Sequence, residues 1–336
     1  MKTNFLLLYG FGWSGSGAVL DLLKEVDCID VSDTYFFLIR DYGGIIDLQN
    51  HLVDNWDTFR SSSAIKSFIK LCKRSKKKML SLFSVAGRDY KKQFGKAFDQ
   101  EIVSFLNKIT DFKYYCYEHS LNMDKNYFHT QRSRVVHNLD KIGIKTPLCE
   151  EDIYYFSRPS RDLFNSAVKE LISNLYRLAY TNKRYLLIDH HPLSIHDSAY
   201  LKAYFGEDAK MIVVDRDPRD IYCDLVDNRM RIGSELYRYD SVEKYVVWHK
   251  KTREFLDSNK DILYVRFEKL VTNYDFELKR IFAFLGIDEA FHTKKKEFFD
   301  PDVSINNIGI WKKRYEKNKA VFDKIFSCLK EYCWEE

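Results

Sequence analysis

Three short stretches of this chain combine residue types that bind anions and transfer protons. The first is YGFGWSGSGAVLDLLKE, residues 9–25, in which four glycines and two serines follow an apolar run. The second is Asp189-His190-His191, and the third is DRDPRD, residues 215–220. A glycine-rich turn and an arginine-rich turn each suit an anion, and an imidazole titrates near neutral pH. Two anion sites with a histidine between them favour a group-transfer reaction.

The glycine-rich turn has the pattern of a phosphate cradle. Phe5–Tyr9 is an apolar run typical of a buried strand, and AVLDLLKE after the turn predicts a helix. Backbone N–H groups at such a helix start face one spot, with the positive end of the helix dipole behind them. The hydroxyls of Ser14 and Ser16 favour an anion site over a tight turn that needs glycine for steric reasons alone.

Two known loop motifs match this turn only in part. A Walker A loop requires lysine after its last glycine, whereas Ser16 and Gly17 follow Gly15 here. The pattern G-x-G-x-x-G holds from Gly10 to Gly15, which alone is a weak signal for a dinucleotide. Without the lysine, a nucleoside triphosphate would lack the cation for its outer phosphates, but a cradle for a smaller phosphate group would remain.

Composition excludes several classes of protein. The 336 residues are 45% hydrophobic and 16% aromatic, which predicts a folded globular chain. The net charge of +5 gives no indication of nucleic-acid binding. Seven dispersed cysteines without a C-x-x-C pair predict reduced thiols, and the histidines and cysteines lack zinc-ligand spacing. No apolar run is long enough to span a bilayer, so we expect a cytoplasmic protein.

The carboxy-terminal half alternates predicted strands and helices. Strands are predicted at Tyr185–Ile188, at Met211–Val214 and in ILYVRFEKL, residues 262–270. Pro218 suits the first turn of a helix, and Gly206 and Gly286 suit helix ends. The fold class predicted is therefore α/β, a P-loop-like parallel sheet flanked by helices, with ligands at the carboxyl ends of the strands.

Residues 35–180 have a polar, aromatic and mostly helical pattern. We interpret 1–336 as a single domain in which 35–180 is a helical insertion or acceptor-binding region. Six basic residues lie between Lys70 and Lys78, and they indicate either contact with an acidic glycan or anionic membrane surface, or a solvated helix face. Trp56 and the KYYCYEH run at 113–119 offer either stacking faces for sugar rings or core side chains.

Four segments together resemble the sulfotransferases that use 3′-phosphoadenosine 5′-phosphosulfate (PAPS). YGFGWSGSGAVLDLL is similar to the family's 5′-phosphosulfate loop, and MIVVDRDPRDIYCDLV is similar to its 3′-phosphate strand, loop and helix. YVRFEKLVTNYDFELKRIFAFLGI resembles its strand, acidic turn and helix, and INNIGIWKKRYEKN resembles its carboxy-terminal segment. The segments occur in the family's order and cover residues 1–34 and about 183–320.

The resemblance implies a sulfuryl transfer from PAPS to a hydroxyl-bearing acceptor, which we expect to be a glycan, a glycolipid precursor or a small metabolite. Ser14 to Gly17 would bind the 5′-phosphosulfate, and Arg216 would bind the 3′-phosphate. His191 is the preferred general base, with His190 as the alternative, and the chemistry requires no metal. The candidate donor-binding residues are Gly12, Trp13, Ser14, Gly15, Ser16, Gly17, Ala18, Arg216, Arg219 and Lys312.

The chain departs from the family pattern at three places. Trp13 stands where many members have lysine or arginine, and Ser304-Ile305-Asn306 replaces an Arg-Lys-Gly run. Asp224, eight residues after Arg216, stands where a serine usually joins in 3′-phosphate binding. A carboxylate there would repel the phosphate unless it turns away, so we expect either a shifted helix register or another group, such as Arg219, in place of the serine.

Two other functions fit the sequence. One is a phosphotransferase with a degenerate nucleotide loop, which magnesium-dependent hydrolysis of a nucleoside triphosphate would support. The other is a catalytically silent protein of the same fold that holds a carbohydrate or a partner, and Asp224 and Trp13 favour it.

Overall fold

The computed structural model describes residues 3–32, 37–74, 90–115, 127–144, 153–177, 183–189, 192–227 and 242–335. The chain divides into two compact units. Met1–Tyr35 and Tyr180–Glu336 form the first unit, and Phe36–Ala179 forms the second. The first unit contains all three of the sequence stretches that suit anion or proton chemistry.

The first unit is built on a five-stranded sheet in the order β2-β5-β1-β6-β7. All neighbouring strands are parallel, which confirms the predicted fold class. Its strands are β1 Asn4–Gly10, β2 Ile29–Ser32, β5 Tyr185–Ile188, β6 Lys210–Asp215 and β7 Ile262–Arg266. The apolar runs predicted β5 to the residue, and β1 and β6 extend one residue beyond the prediction at each end.

Helices cover this sheet because their apolar stripes match its buried side chains. Val19, Leu22 and Leu23 of the first helix join Leu6 and Leu8 of β1 in one buried cluster. The α-helices of this unit are α1 Ser16–Lys24, α8 Leu201–Phe205, α9 Pro218–Asp227, α10 Val242–Lys251, α11 Phe267–Thr272, α12 Tyr274–Leu285, α13 Pro301–Ser304 and α14 Lys319–Leu329. The predicted helix ends are confirmed at Gly206 and Gly286, which both have positive φ.

The second unit is mainly helical among its described residues. Its α-helices are α2 Ile45–Gln49, α3 Thr58–Arg74, α4 Tyr90–Phe94, α5 Ala97–Ile109, α6 Tyr127–Lys141 and α7 Arg161–Arg177. A small antiparallel sheet pairs β3 Phe112–Tyr115 with β4 Ile153–Phe156. Phe68, Phe105 and Phe164 form a buried ring cluster that joins α3, α5 and α7.

A buried carboxylate fixes the carboxyl end of α1. Glu25 follows this helix and is fully buried. One of its oxygens lies 2.7 Å from Nε2 of His292, and the other accepts hydrogen bonds from the backbone N–H groups of Phe298 and Phe299 at 2.9 and 2.8 Å. Glu25 therefore joins α1 to the segment after α12, far away in the sequence.

Most described cysteines are too buried to react readily. Cys28, Cys72, Cys223, Cys328 and Cys333 are free thiols, as the sequence predicted, while Cys116 and Cys149 lie outside the described residues. Burial raises the pKa of Cys223 and of Cys333 to about 12. No helix in the described ranges combines the length and the apolar character needed to cross a membrane.

His249 of α10 is a buried imidazole among aromatic rings. Its ring lies 4.9 Å from that of Tyr332 and 5.8 Å from that of Tyr245, and neither ring nitrogen has a hydrogen-bond partner within the described residues. Burial lowers the pKa of His249 well below its usual value, and the neighbouring Arg253 and Arg266 lower it further. The folded chain therefore holds this side chain neutral.

We expect His249→Phe to reduce the loss of free energy of unfolding that occurs as the pH falls from neutral to acidic values. The unfolded chain binds a proton at His249 below a pKa of about 6.5, whereas the folded chain does not, so folding becomes less favourable as the pH falls. The wild type should lose about 2 kcal/mol between about pH 7.5 and pH 5 through this group, and the variant should not. Urea unfolding at several pH values in this range measures the free energy of unfolding of both proteins. If it falls equally with pH in the wild type and the variant, His249 is not the group responsible.

Candidate active site

The three predicted strand ends meet at one edge of the sheet. β1 lies between β5 and β6, with Gly10 opposite Val214 and Leu7 opposite Ile188. The chain passes from β1 to β2 on one side, returns to form β5 beside β1, and then crosses to β6 and β7 on the other side of β1. A reversal of this kind creates a crevice at the carboxyl ends of the strands, where ligands of open α/β sheets bind.

The glycine-rich loop leads directly into α1. Gly12, Trp13 and Gly15 have φ values of 78°, 56° and 85°. A bulky residue such as Trp13 is a genuine outlier in this region, and such backbone strain concentrates at functional sites. Helix α1 begins at Ser16, with no side-chain cap and no acidic residue in its first turn, so its positive end carries no neutralising group from its own sequence.

Ser14 closes the loop on itself. Its side chain is almost fully buried, and its hydroxyl oxygen accepts the N–H of Phe11 at 3.1 Å. A hydroxyl that accepts one bond keeps its hydrogen for another acceptor. Ser16 and Gly17 lie within the first turn of α1 rather than in the loop, and the Ala18 N–H donates to the Gly15 carbonyl at 3.0 Å.

The arginine-rich turn lies beside this loop through the side chain of Arg216. The guanidinium is 4% exposed, and its Nη1 donates to the backbone carbonyl of Trp13 at 3.3 Å. Its Nη2 donates to the carbonyl of Asn307 at 2.5 Å, and its centre lies 5.2 Å from the Phe267 ring. Arg216, in the segment before α9, therefore contacts the glycine-rich loop, the start of α11 and the segment after α13, so it joins all four segments that carry the resemblance.

Arg219 points to a different group of residues. It forms a bidentate ion pair with Asp217, with its shortest bond at 2.6 Å, and donates to the Trp334 carbonyl at 3.0 Å. Its guanidinium stacks 4.1 Å from the Trp311 ring. Burial acts to lower the pKa of Arg219, but the hydrogen bond and charge of Asp217 raise it overall. The hydrogen bonds of Arg219 thus go to the Asp217 carboxylate and to the Trp334 carbonyl.

Lys312 belongs to a short 3-10 turn, Ile310–Arg314, that a buried carboxylate holds in place. Asp220 accepts the backbone N–H groups of Gly309 and Trp311 at 2.8 and 3.1 Å. Burial raises the pKa of Asp220, and the charge of Arg216 and the two N–H groups oppose the rise. The exposed Lys312 side chain lines a cavity of about 160 Å³ with Arg219, Trp311 and Gly309.

One ion pair and one carboxylate hydrogen bond that support the arginine-rich turn were missed by sequence reasoning. Arg253 donates to both carboxylate oxygens of Asp215 at 2.6 and 2.8 Å, and its guanidinium lies 4.1 Å from the Phe11 ring. Glu268 accepts the Asp217 N–H at 2.6 Å; burial raises its pKa, and the charge of Arg266 opposes this. Arg253 lies outside any motif, so only the tertiary structure reveals it, whereas Glu268 lies within the acidic turn that carries the resemblance.

Several predicted residues lie outside the described ranges. His190 and His191, the two candidate bases, are among them, although β5 and Asp189 immediately before them are described. Lys76, Lys77 and Lys78 of the basic run also lie outside the described ranges, whereas Lys70, Lys73 and Arg74 lie in α3. Of the aromatic run at 113–119, only the first three residues are described, and they lie exposed in β3.

The fold and this edge of the sheet define a class: a parallel α/β protein with a glycine-rich anion loop after its first strand and a buried arginine beside it. The model of the family described as the sulfotransferase family matches residues 116–292, more than half of the 336-residue chain. The chain therefore belongs to the sulfotransferase family of enzymes, which confirms the resemblance read from its four segments. Arg216 lies within the matched residues, and the glycine-rich loop lies before them.

The chain is also similar to solved structures of sulfotransferases. The sulfotransferase domain of the Synechococcus PCC 7002 olefin synthase is 14% identical to this chain. The match covers 92% of this chain and 88% of that domain, with a TM-score of 0.40. Sulfotransferase STF9 from Mycobacterium avium is 12% identical over 97% and 76% of the two chains, with a TM-score of 0.37. Mouse sulfotransferase SULT7A1, complexed with PAP, is 16% identical over 59% and 85%, with a TM-score of 0.30. No match to a curated protein was found.

Proposed function

We propose that this chain transfers a sulfuryl group from PAPS to a hydroxyl of an acceptor. The observation that carries the proposal is the buried Arg216 guanidinium, which donates to the backbone of the glycine-rich loop at Trp13. An arginine and a helix amino terminus at one sheet edge suit a ligand with two anionic groups. Membership of the sulfotransferase family supports the identity of the transferred group.

The chain's own residues fit the donor. Backbone groups of Gly12 to Ala18, with the Ser14 and Ser16 hydroxyls, hold the 5′-phosphosulfate at the start of α1. Arg216 holds the 3′-phosphate, and its Nε is a buried donor without a hydrogen-bond partner among the described residues. Buried donors are normally satisfied, so an anionic acceptor beside this Nε fits the site. Lys312, exposed in the 3-10 turn Ile310–Arg314, adds positive charge for the donor.

In the proposed reaction the acceptor oxygen bonds to sulfur while the bond from sulfur to the bridging phosphate oxygen breaks. The acceptor's proton passes to His191, with His190 as the alternative base, and the nucleotide leaves as adenosine 3′,5′-bisphosphate. The glycine-rich loop stabilises the negative charge that develops on the departing phosphate oxygen. Positioning and electrostatics supply most of the rate enhancement, and no metal takes part.

The acceptor in this proposal is a carbohydrate hydroxyl bound by the second unit. Aromatic rings with exposed faces suit sugar rings, and the Phe112 and Phe156 rings stack at 4.8 Å in the small sheet. Phe112 and Tyr114 are 54% and 45% exposed and carry this proposal, whereas the Arg158 guanidinium lies over the Trp56 ring at 4.5 Å and already occupies that face. The basic run Lys70–Lys78 adds contact with an anionic surface in the same unit.

Thermal unfolding with nucleotides tests the donor. Adenosine 3′,5′-bisphosphate at about a hundred times its Kd should add about 2.7 kcal/mol to the free energy of unfolding and raise the midpoint. Arg216→Ala should remove the rise. Arg314→Ala, which breaks the exposed ion pair with Asp227, should keep it. Stabilisation by ATP with magnesium instead, or none by the bisphosphate, would overturn the proposal and favour a phosphotransferase or a silent binding protein.

A further inference from the structure

Arg216 already has a counterion within the protein. The Asp224 carboxylate lies 2.5 Å from its Nη1, whereas the Asp220 carboxylate lies 4.0 Å from its Nη2. Asp220 is also committed to two backbone N–H groups of the segment after α13. Asp224 is therefore the carboxylate that neutralises the buried guanidinium in the unliganded chain.

Apart from the more distant Asp220 carboxylate, the other contacts of Arg216 are with neutral groups. Its remaining hydrogen bonds go to the carbonyls of Trp13 and Asn307, and Nε has no hydrogen-bond partner among the described residues. A phosphate that binds this guanidinium would lie close to the Asp224 carboxylate, and two like charges in one small site repel each other. A 3′-phosphate can use the full charge of Arg216 only when the carboxylate moves away.

We propose that Asp224 competes with the donor's 3′-phosphate for Arg216 and so determines how strongly this chain distinguishes 3′-phosphorylated nucleotides from 3′-hydroxyl nucleotides. This inference rests on the proposed function, in which Arg216 binds the 3′-phosphate. The side chain of Asp224 is 27% exposed and that of Arg216 only 5%, so the carboxylate is the partner with room to move towards solvent.

The exchange has a physical cost that reduces affinity. In the unliganded chain the pair satisfies a buried cation, which would otherwise be strongly destabilising. When the nucleotide binds, its 3′-phosphate replaces the Asp224 carboxylate at the Arg216 guanidinium. The net gain in binding free energy is therefore smaller than it would be at an arginine without a counterion. A serine at position 224 would donate a hydrogen bond to the phosphate instead of repelling it.

Calorimetric titration of the full chain tests this competition. The Kd values of adenosine 3′,5′-bisphosphate and of adenosine 5′-monophosphate are measured for the wild type, Asp224→Asn and Asp227→Asn. Asp227 lies on the same helix and pairs with Arg314 at the surface, so its variant removes the same charge away from Arg216. Asp224→Asn should lower the Kd of the bisphosphate about tenfold, the scale of a hydrogen bond to a charged group, and leave that of the monophosphate within about twofold. Asp227→Asn should change neither.

The outcomes separate the inference from the proposed function. If the wild type prefers the bisphosphate and Asp224→Asn shows the same preference, the competition is overturned and the donor assignment stands. If neither protein prefers the bisphosphate over the monophosphate, both are overturned. Asp224→Ser provides the same comparison if the asparagine variant does not fold.

Discussion

Gly15→Ala is expected to destabilise the folded chain by about 2 to 5 kcal/mol and to abolish binding of adenosine 3′,5′-bisphosphate. The φ of Gly15 is 85°, a conformation that costs an L-residue about 1–2 kcal/mol. A Cβ at this position would also lie 2.6 Å from Cδ2 and 2.8 Å from Cγ of the Phe267 ring. Phe267 is buried at the start of α11 and cannot move aside cheaply, and overpacking of this kind costs about 1–3 kcal/mol.

The same loop contains two matched controls. Gly12 also has a positive φ, of 78°, but a Cβ there would have no atom within 4 Å, so Gly12→Ala should cost only about 1–2 kcal/mol. Gly17 lies in the first turn of α1 with similarly open space, and Gly17→Ala should be nearly neutral for stability. Urea unfolding of the three variants gives the loss of free energy of unfolding for each. Equal losses for Gly15→Ala and Gly12→Ala would contradict a role for the Phe267 contact.

Glu25→Ala is expected to cost about 3 to 5 kcal/mol, because a buried donor left without its acceptor costs about 1–3 kcal/mol and Glu25 accepts from more than one. The side chains of Glu25 and His292 are both 0% exposed. The substitution also leaves the N–H groups of Phe298 and Phe299 without their acceptor. Chemical denaturation should therefore show a large fall in the free energy of unfolding.

Two further variants test whether the contacts of Glu25 with His292, Phe298 and Phe299 cause the fall in the free energy of unfolding. Glu25→Gln keeps an oxygen for the two N–H groups and should cost clearly less than Glu25→Ala. Asp21→Ala, on the same helix, removes only a half-exposed ion pair with Lys24 and should cost less than about 1 kcal/mol. A loss for Asp21→Ala as large as that for Glu25→Ala would show that α1 is sensitive to any change of charge.

These two sites hold α1 at both ends. Because Gly15 has no Cβ, the amino end of α1 can pack against Phe267. At the carboxyl end, Glu25 binds His292 and so joins α1 to the segment around that residue. Because the proposed phosphosulfate site is the amino end of α1, its position depends on both contacts. Substitutions at Glu25 should thus weaken nucleotide binding as well as stability, although Glu25 lies at the opposite end of the helix.

Much of the candidate site could be predicted because its signals are local. A buried apolar run followed by glycines and an amphipathic segment specifies a strand, a turn and a helix by short-range preferences. The family match confirms the resemblance as a whole, although it covers residues 116–292 and the glycine-rich loop lies before them. The assignments of the base to His191 or His190, of the donor ligands and of the acceptor remain predictions.

The sequence alone predicted β1, β5, β6, the start of β7 and the glycine-rich turn, since each depends on residues that are close together in the chain. It did not predict β2, and the strand predicted at 262–270 ends at Arg266, where α11 begins. Only the tertiary structure decided the partners of the charged groups. The sequence placed Asp224 eight residues after Arg216, but their ion pair depends on the path of α9 and on the carbonyls of Trp13 and Asn307. The pairs of Arg253 with Asp215 and of Glu25 with His292 likewise join separate elements. A buried charge takes whichever partner the completed fold brings within reach, and local preferences carry no information about that choice.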